Sequence, residues 1–119
     1  MANIFLVDDS IFQVTVTTQM LVELGNRVTS SRDPLEALDQ IIAGSYDCVI
    51  ADHLMPGMNG VELLEQLKRA KPEQKVILLT SNIQKTVEKD AKTKGASFFL
   101  AKPANKEMLS IALKQAIGE

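Results

Sequence analysis

The 119-residue chain has no tryptophan, one tyrosine, one cysteine (Cys48) and one histidine (His53). A lone cysteine excludes an internal disulfide and any multi-cysteine metal site. A lone histidine excludes a multi-histidine metal site. No apolar run approaches the roughly 20 residues needed to span a bilayer. Residues 1–10 lack a basic start followed by a long apolar stretch, so no signal peptide is read and a reduced, cytoplasmic setting is expected. There is no excess of positive charge either: 13 Lys and Arg stand against 15 Asp and Glu, a net charge of −2. Domains that grip a phosphate backbone usually carry a basic surplus, so a nucleic-acid partner is not expected. No repeat, low-complexity segment or Pro/Gly/Ser-rich linker divides the chain. One domain over residues 1–119 is expected, and a monomer.

What is present is an alternation of two hydrophobic periods. Short, almost continuous apolar runs occur at Ile4–Val7, Cys48–Ala51, Val76–Leu79 and Phe98–Ala101. That pattern suits strands buried on both faces of a parallel sheet. Arg27–Ser30 is more polar and reads as an edge strand.

Helical spacing fills the intervals. Ser10–Leu24 carries Ile11, Val14, Thr18 and Leu21. Asp33–Ala43 opens with an N-cap Asp33 and Pro34 at the first helical position, then sets Leu35, Leu38, Ile41 and Ile42 on one stripe. Gly60–Ala70 carries Val61, Leu64 and Leu67. Gln84–Lys94 has little more than Val87 and Ala91 to bury. Asn105–Ile117 carries Leu109, Ala112, Leu113 and Ala116. Gly25, Gly44, Gly95 and Gly118 each fall just past a helix, where a left-handed C-terminal cap belongs.

The expected fold is α/β: a doubly wound (βα)₅ unit with right-handed crossovers. Placing the strongest strands in the middle predicts a parallel five-stranded sheet of order 2-1-3-4-5. Its topological switch point lies between strands one and three, and ligands in such sheets bind beyond the carboxyl ends of the strands there.

The residues leaving those ends carry the chemistry. Strand one runs into Asp8-Asp9, strand three into Asp52, strand four into Thr80-Ser81 and strand five into Lys102-Pro103. Strand two ends in Ser30-Ser31-Arg32, which looks ordinary. Three carboxylates in one crevice repel unless cations offset them. Oxygen ligands at this density suit Mg²⁺ far better than zinc. Lys102 can offset a carboxylate or reach a phosphoryl group, and Thr80 offers a hydroxyl to the same anion. The inference is Mg²⁺-dependent phosphoryl transfer onto an aspartate. Asp52, alone on a central strand, is the expected nucleophile, and the Asp8-Asp9 pair suits the metal.

With these residues in place, the chain resembles a receiver domain of two-component response regulators, the stand-alone CheY-like type with a flavodoxin-like sheet. The carrying motifs are Leu6-Val7-Asp8-Asp9-Ser10, Asp52 through Met55-Pro56-Gly57-Met58-Asn59-Gly60, Leu79-Thr80-Ser81 and Lys102-Pro103. The resemblance implies that Asp52 accepts a phosphoryl group from a phosphohistidine on a sensor histidine kinase and becomes 4-aspartylphosphate. It implies that Asp9 and Asp52 ligate Mg²⁺ directly, Asp8 through water, and the Leu54 carbonyl as well. Thr80 and Lys102 would contact the phosphoryl group. Thr80 and Phe99 would be the switch residues, and the Lys102-Pro103 bond would be cis. The catalysis expected is confined to the chain's own phosphorylation and dephosphorylation; it is not otherwise an enzyme.

Two positions bear on the lifetime of that group. Leu54 and Asn82 flank the expected path of attacking water; Leu54 cannot position a water and Asn82 can, so a moderate lifetime is expected. Small Ser81 leaves room for a donor or a phosphatase. Cys48 and Met58 read as core residues, and His53 as a packing or surface residue. No effector module is expected beyond Ile117, so output is expected to come from a surface change around the Gln84–Lys94 segment. Phe99, Met108 and Ile111 are candidates for a partner patch. The leading role is phosphorylation-dependent binding of a target, of chemotaxis type, such as a flagellar motor switch component. The alternative is a relay that passes the group to a histidine phosphotransfer domain. A flavodoxin would need a Ser/Thr/Gly-rich loop after strand one. A haloacid dehalogenase-type phosphatase would need acids two residues apart there, whereas Asp8-Asp9 are adjacent.

Overall fold

A computed structural model describes residues 2–81 and 85–118. Its elements follow in order: β1 Asn3–Val7, α1 Ile11–Glu23, β2 Arg27–Ser31, α2 Pro34–Ala43, β3 Cys48–Asp52, α3 Gly60–Ala70, β4 Val76–Thr80, α4 Lys85–Thr93, β5 Phe98–Ala101 and α5 Lys106–Ile117. The expected start of the fourth helix at Gln84 lies outside the described residues. All strand pairs are parallel and the sheet order is β2-β1-β3-β4-β5, as the strand hydrophobicities predict.

Strand side chains alternate between two cores. Phe5, Val7, Val49, Ala51, Val76 and Leu78 pack with Ala37 and Ile41 of α2, Leu63, Leu64 and Leu67 of α3 and Ala91 of α4. Ile4, Leu6, Cys48, Ile50, Ile77 and Leu79 pack with Leu21 of α1 and Leu109, Ala112 and Leu113 of α5. So α2, α3 and α4 cover one face, and α1 and α5 cover the other. Cys48 is a fully buried core residue, and burial pushes its thiol up to about 12, with the charge of Asp47 adding to the shift. That removes it from thiolate chemistry.

Caps fix the helix starts. Ser10 Oγ accepts from the Gln13 amide at 3.3 Å, and Asp33 Oδ1 from the Leu35 amide at 3.0 Å. Asn59 and Glu62 form a reciprocal capping box at α3. The ammonium of Lys71, just past α3, donates to the Ile41 carbonyl at 3.0 Å and also to that of Gly44, so α3 closes the C-terminus of α2.

Three details differ from the sequence reading. In α1 the buried positions are Thr17 and Leu21, while Ile11 is 65% exposed and Thr18 is only partly buried. In α2 the inward stripe is Pro34, Ala37 and Ile41, and Leu35 and Ile42 face solvent. Both helices hold more apolar residues than one stripe can bury, so spacing alone added outward-facing members to Val14, Leu21, Leu38 and Ile41, which do pack inward. Gly25, Gly95 and Gly118 do have positive φ, but Gly44 has φ −105°. Its requirement is space: a Cβ there would sit 2.7 Å from Tyr46 Cε2.

Candidate functional site

The sheet order brings the carboxyl ends of β1 and β3 side by side. The β1 ladder continues one residue past the strand, because the Asp8 amide donates to the Ser31 carbonyl at 3.2 Å. Asp8 is 3% exposed. One of its carboxylate oxygens accepts from the Ser10 amide at 3.0 Å, and the other lies 2.9 Å from Lys102 Nζ. The helix cap is therefore Ser10, which leaves the two aspartates outside that role. Asp52 ends β3, is 7% exposed and lies 3.2 Å from the same ammonium. Asp9 is half-buried beside them. Asp8, Asp9 and Asp52 each offer a carboxylate oxygen within 4.8 Å of the others.

The loop after Asp52 holds it in place. The Gly60 amide donates to the His53 carbonyl at 2.9 Å, and the His53 amide donates to the Leu79 carbonyl at 3.0 Å. The N-terminus of α3 thus presses directly on the strand end. A Cβ on Gly60 would meet the Asp52 carbonyl oxygen at 2.7 Å and His53 Cα at 2.8 Å, which only glycine avoids. Met55 is 8% exposed and anchors the loop in the core; Met58, expected to plug the core here, is packed against it but only partly buried. Leu54 is 53% exposed at the rim.

On the other side, Thr80 is fully buried at the end of β4, and its carbonyl accepts from the Lys102 amide at 2.9 Å. The Lys102-Pro103 bond is cis. Phe98 packs into the α5-side core and Phe99, half-buried, into the opposite core near α4. The partner patch sketched from sequence is smaller than expected. Ile111 is 49% exposed, but Met108 packs into the α5-side core. Asn82 lies outside the described residues.

The electrostatics follow from one ammonium among three carboxylates. Burial holds the Asp52 carboxyl above its ordinary value; Lys102 pulls it down, and the charges of Asp8 and Asp9 push it up again. Burial alone would lower the Lys102 ammonium, but the hydrogen bond to Asp8 and the charges of Asp52 and Asp8 outweigh it and hold the group above its ordinary value. A pocket with an unbalanced negative charge, lined by hard oxygens, suits a divalent cation such as Mg²⁺. The chemistry of this donor set fits that group.

The sequence reading passed over Arg32. Its Nε donates to the Asp9 carbonyl at 3.2 Å, so a guanidinium stands at the rim of the acidic pocket. The available signal was that β2 neighbours β1 and ends on the same edge. His53, read as a packing or surface residue, is 9% exposed and packs inward. Among the described residues no helix is long and apolar enough to cross a membrane.

Comparison with known proteins agrees with this geometry. A sequence profile described as "Response regulator receiver domain" matches residues 4–114. The chemotaxis protein CheY of Listeria monocytogenes is 31% identical over 117 residues, spanning 98% of both chains. The phosphoglycerate transport system transcriptional regulatory protein PgtA of Salmonella typhimurium is also 31% identical over 117 residues, and the chain spans 98% of its own length but 28% of that protein. The chain likewise spans 26% of ZraR of Klebsiella oxytoca, 23% of NtrC of Azospirillum brasilense and 57% of FixJ of Bradyrhizobium diazoefficiens. A response regulator receiver domain protein from Clostridium thermocellum superimposes with a TM-score of 0.94 at 31% identity, covering 99% of this chain and 95% of that one. The receiver domain of the sensor histidine kinase PA1611 from Pseudomonas aeruginosa superimposes with a TM-score of 0.90 at 28% identity, covering 99% and 98%. That structure holds a magnesium ion coordinated in its active site cleft.

Proposed function

Since the chain belongs to the response regulator receiver domain family, we propose that Asp52 is its phosphoacceptor and that it takes the group from a phosphohistidine on a sensor histidine kinase. One observation carries this reading: a buried carboxylate at the switch point, 3.2 Å from an ammonium and grouped with two further carboxylates. An oxygen of Asp52 attacks phosphorus. The P–N bond to the donor breaks, and its electron pair stays on the imidazole nitrogen. The imidazole leaves neutral, its other nitrogen carrying the proton. The product is an acyl phosphate on Asp52.

Lys102 offsets charge on the transferred oxygens, from a position already set by Asp8. The Thr80 hydroxyl, at the adjacent strand end, contacts the phosphoryl group. Asp8, Asp9 and Asp52, with the Leu54 carbonyl, would hold Mg²⁺. When bound, that ion neutralises the carboxylates and the charge on the incoming phosphoryl group. Ile11 and Phe12, 65% and 68% exposed in the first turn of α1 directly after Asp9 and Ser10, supply an apolar rim against which a donor protein can seat. Exposed Leu54 extends it.

The signal leaves through α4 and β5. The described part of α4 buries only Ala91, so little packing resists its displacement when Thr80 and half-buried Phe99 move. The output is phosphorylation-dependent binding of a protein target in the cytoplasm, of chemotaxis type.

The test is incubation with Mg²⁺ and acetyl phosphate or beryllofluoride, followed by capture from the source lysate. The protein should take up one phosphoryl group, and Asp52→Ala should take up none. Capture of a motor switch component supports the chemotaxis-type output, whereas capture of a histidine phosphotransfer domain makes the chain a relay. No uptake by the unaltered chain refutes the phosphoacceptor reading.

A further inference from the structure

The acidic pocket holds three carboxylates and one ammonium, and that ammonium is shared, 2.9 Å from Asp8 and 3.2 Å from Asp52. A divalent cation brings the group to charge balance. A small phosphodonor such as acetyl phosphate is a dianion at neutral pH, so the filled pocket has no net charge with which to draw it in. Any long-range attraction has to come from the rim.

The rim is nearly uncharged. The first turn of α1 carries Ile11, Phe12 and Gln13, with no acidic residue. Residues 53–59 include no Asp, Glu, Lys or Arg, β4 leaves as Thr80-Ser81, and residues 103–105 are uncharged. Lys106 is occupied, 3.3 Å from Glu23. Arg32 is the exception. Its Nε donates to the Asp9 carbonyl at 3.2 Å, which ties the guanidinium to the one pocket aspartate that Lys102 does not engage. Arg32 is exposed, and among the described residues it forms no ion pair, so its Nη groups stay available. Asp33, next in the chain, is turned to the start of α2: its Oδ1 accepts from the Leu35 amide at 3.0 Å, where the positive end of the helix offsets it. Glu36 lies a turn further along α2 and is bonded to Gln40 at 3.4 Å. One residue separates the Asp9 carbonyl from its own carboxylate, so the guanidinium lies within a screening length of about 8–10 Å of the pocket.

We propose that Arg32 is a specificity-determining residue of the phosphotransfer, a fixed positive charge at the mouth that favours small dianionic acyl phosphates over donors of lower charge. The role rests on Asp52 being the phosphoacceptor. With acetyl phosphate, an Asp52 oxygen attacks phosphorus, the P–O bond breaks and acetate leaves with the electron pair. Arg32 takes no part in that exchange. It raises the concentration of the anion at the mouth, and its Nε anchor keeps the planar fork from swinging away.

Initial rates of acyl phosphate formation at subsaturating donor and saturating Mg²⁺, read by mass spectrometry of the intact chain, test this. The two donors are acetyl phosphate and phosphoramidate, which is a monoanion at neutral pH and releases ammonia. At low ionic strength Arg32→Gln should slow labelling by acetyl phosphate about threefold to tenfold, one unit charge acting on two across about 8–10 Å of wet rim. Labelling by phosphoramidate should slow only by about the square root of that factor, because it carries half the charge. Arg32→Lys should restore most of the rate, and added salt should erase the difference between variant and parent. A second readout separates this role from a simple brace on Asp9. In a Mg²⁺ titration followed by the amide shifts of Asp8 and Asp9 in ¹⁵N-labelled protein, Arg32→Gln should bind the ion at least as tightly as the parent, since a like charge has gone. Loss of a brace alone would loosen the pocket and weaken the ion as well. Unchanged labelling, equal slowing with both donors, or weaker Mg²⁺ binding overturns the role of Arg32 and leaves Asp52 standing. No labelling of the unaltered chain refutes the phosphoacceptor reading and this role with it.

Discussion

Replacing Lys102 with methionine removes the counter-charge of the acidic pocket while keeping most of its volume. Its side chain is 15% exposed, and those of Asp8 and Asp52 are 4% and 9% exposed. Removing one partner of a buried pair costs about 3–5 kcal/mol, because the other charge stays behind unpaired. Partial exposure of Lys102 and the Ser10 amide left on Asp8 reduce this to about 2–4 kcal/mol. For a domain this size that is a fall in Tm of roughly 10 °C. The pH dependence has a definite sign. The Lys102 ammonium is held above its ordinary value, so its own titration removes stabilisation only as pH rises through its raised folded value, while at the acid end the pairing fades because its carboxylate partners take up protons. The Asp52 carboxyl is also raised, so folding is favoured by its proton and loses stability as pH climbs through its titration. Without Lys102 that loss deepens. The gap between variant and parent should therefore be widest near neutral pH and should narrow as acid neutralises the pocket. Urea denaturation at several pH values measures it. A gap below about 1 kcal/mol at neutral pH, the ceiling for an exposed pair, or one that does not change on acidification, would refute the claim that Lys102 offsets buried carboxylates.

Asp52→Asn should take up no phosphoryl group yet raise the denaturation midpoint at neutral pH, since it removes an ionised group that the fold disfavours; the gain should vanish in acid, and a lower midpoint would contradict the electrostatic account. Gly60→Ala should destabilise by about 1–3 kcal/mol, because the new Cβ meets backbone, not a flexible side chain; unchanged urea unfolding would show that the α3 terminus is looser than its contacts imply. Leu54→Asn, at an exposed position, should leave stability within about 0.5 kcal/mol but shorten the life of the acyl phosphate by positioning water, and a phosphate-release assay with no change would discard that role. Added Mg²⁺ should raise the melting temperature and chelation should reverse it, with a larger effect in Lys102→Met; calorimetry showing no response in either protein would sink the metal assignment.

The sequence by itself determined the elements, their order in the sheet and the edge on which the chemistry gathers. Short continuous apolar runs separated by helical spacing suit strands covered on both faces, and crossovers of one hand leave few ways to stack them. Asp8, Asp9, Asp52, Thr80 and Lys102 were legible because each lies within two residues of the end of such a run, so locating the strand locates the residue. The tertiary structure decided everything that depends on rotation and on contacts distant in sequence. Ile11, Leu35 and Ile42 lie outward because a helix with surplus apolar residues is oriented by its neighbours, not by its own pattern. Lys102 meets Asp8 across 94 positions of sequence, and which carboxylate oxygen it meets is set by the packing of β5 against the rest of the sheet. The guanidinium of Arg32 at the pocket rim, and the ammonium of Lys71 that closes α2, have no signature within their own segments. Each exists only because separate segments arrive at one place, and spacing along a chain carries no record of that.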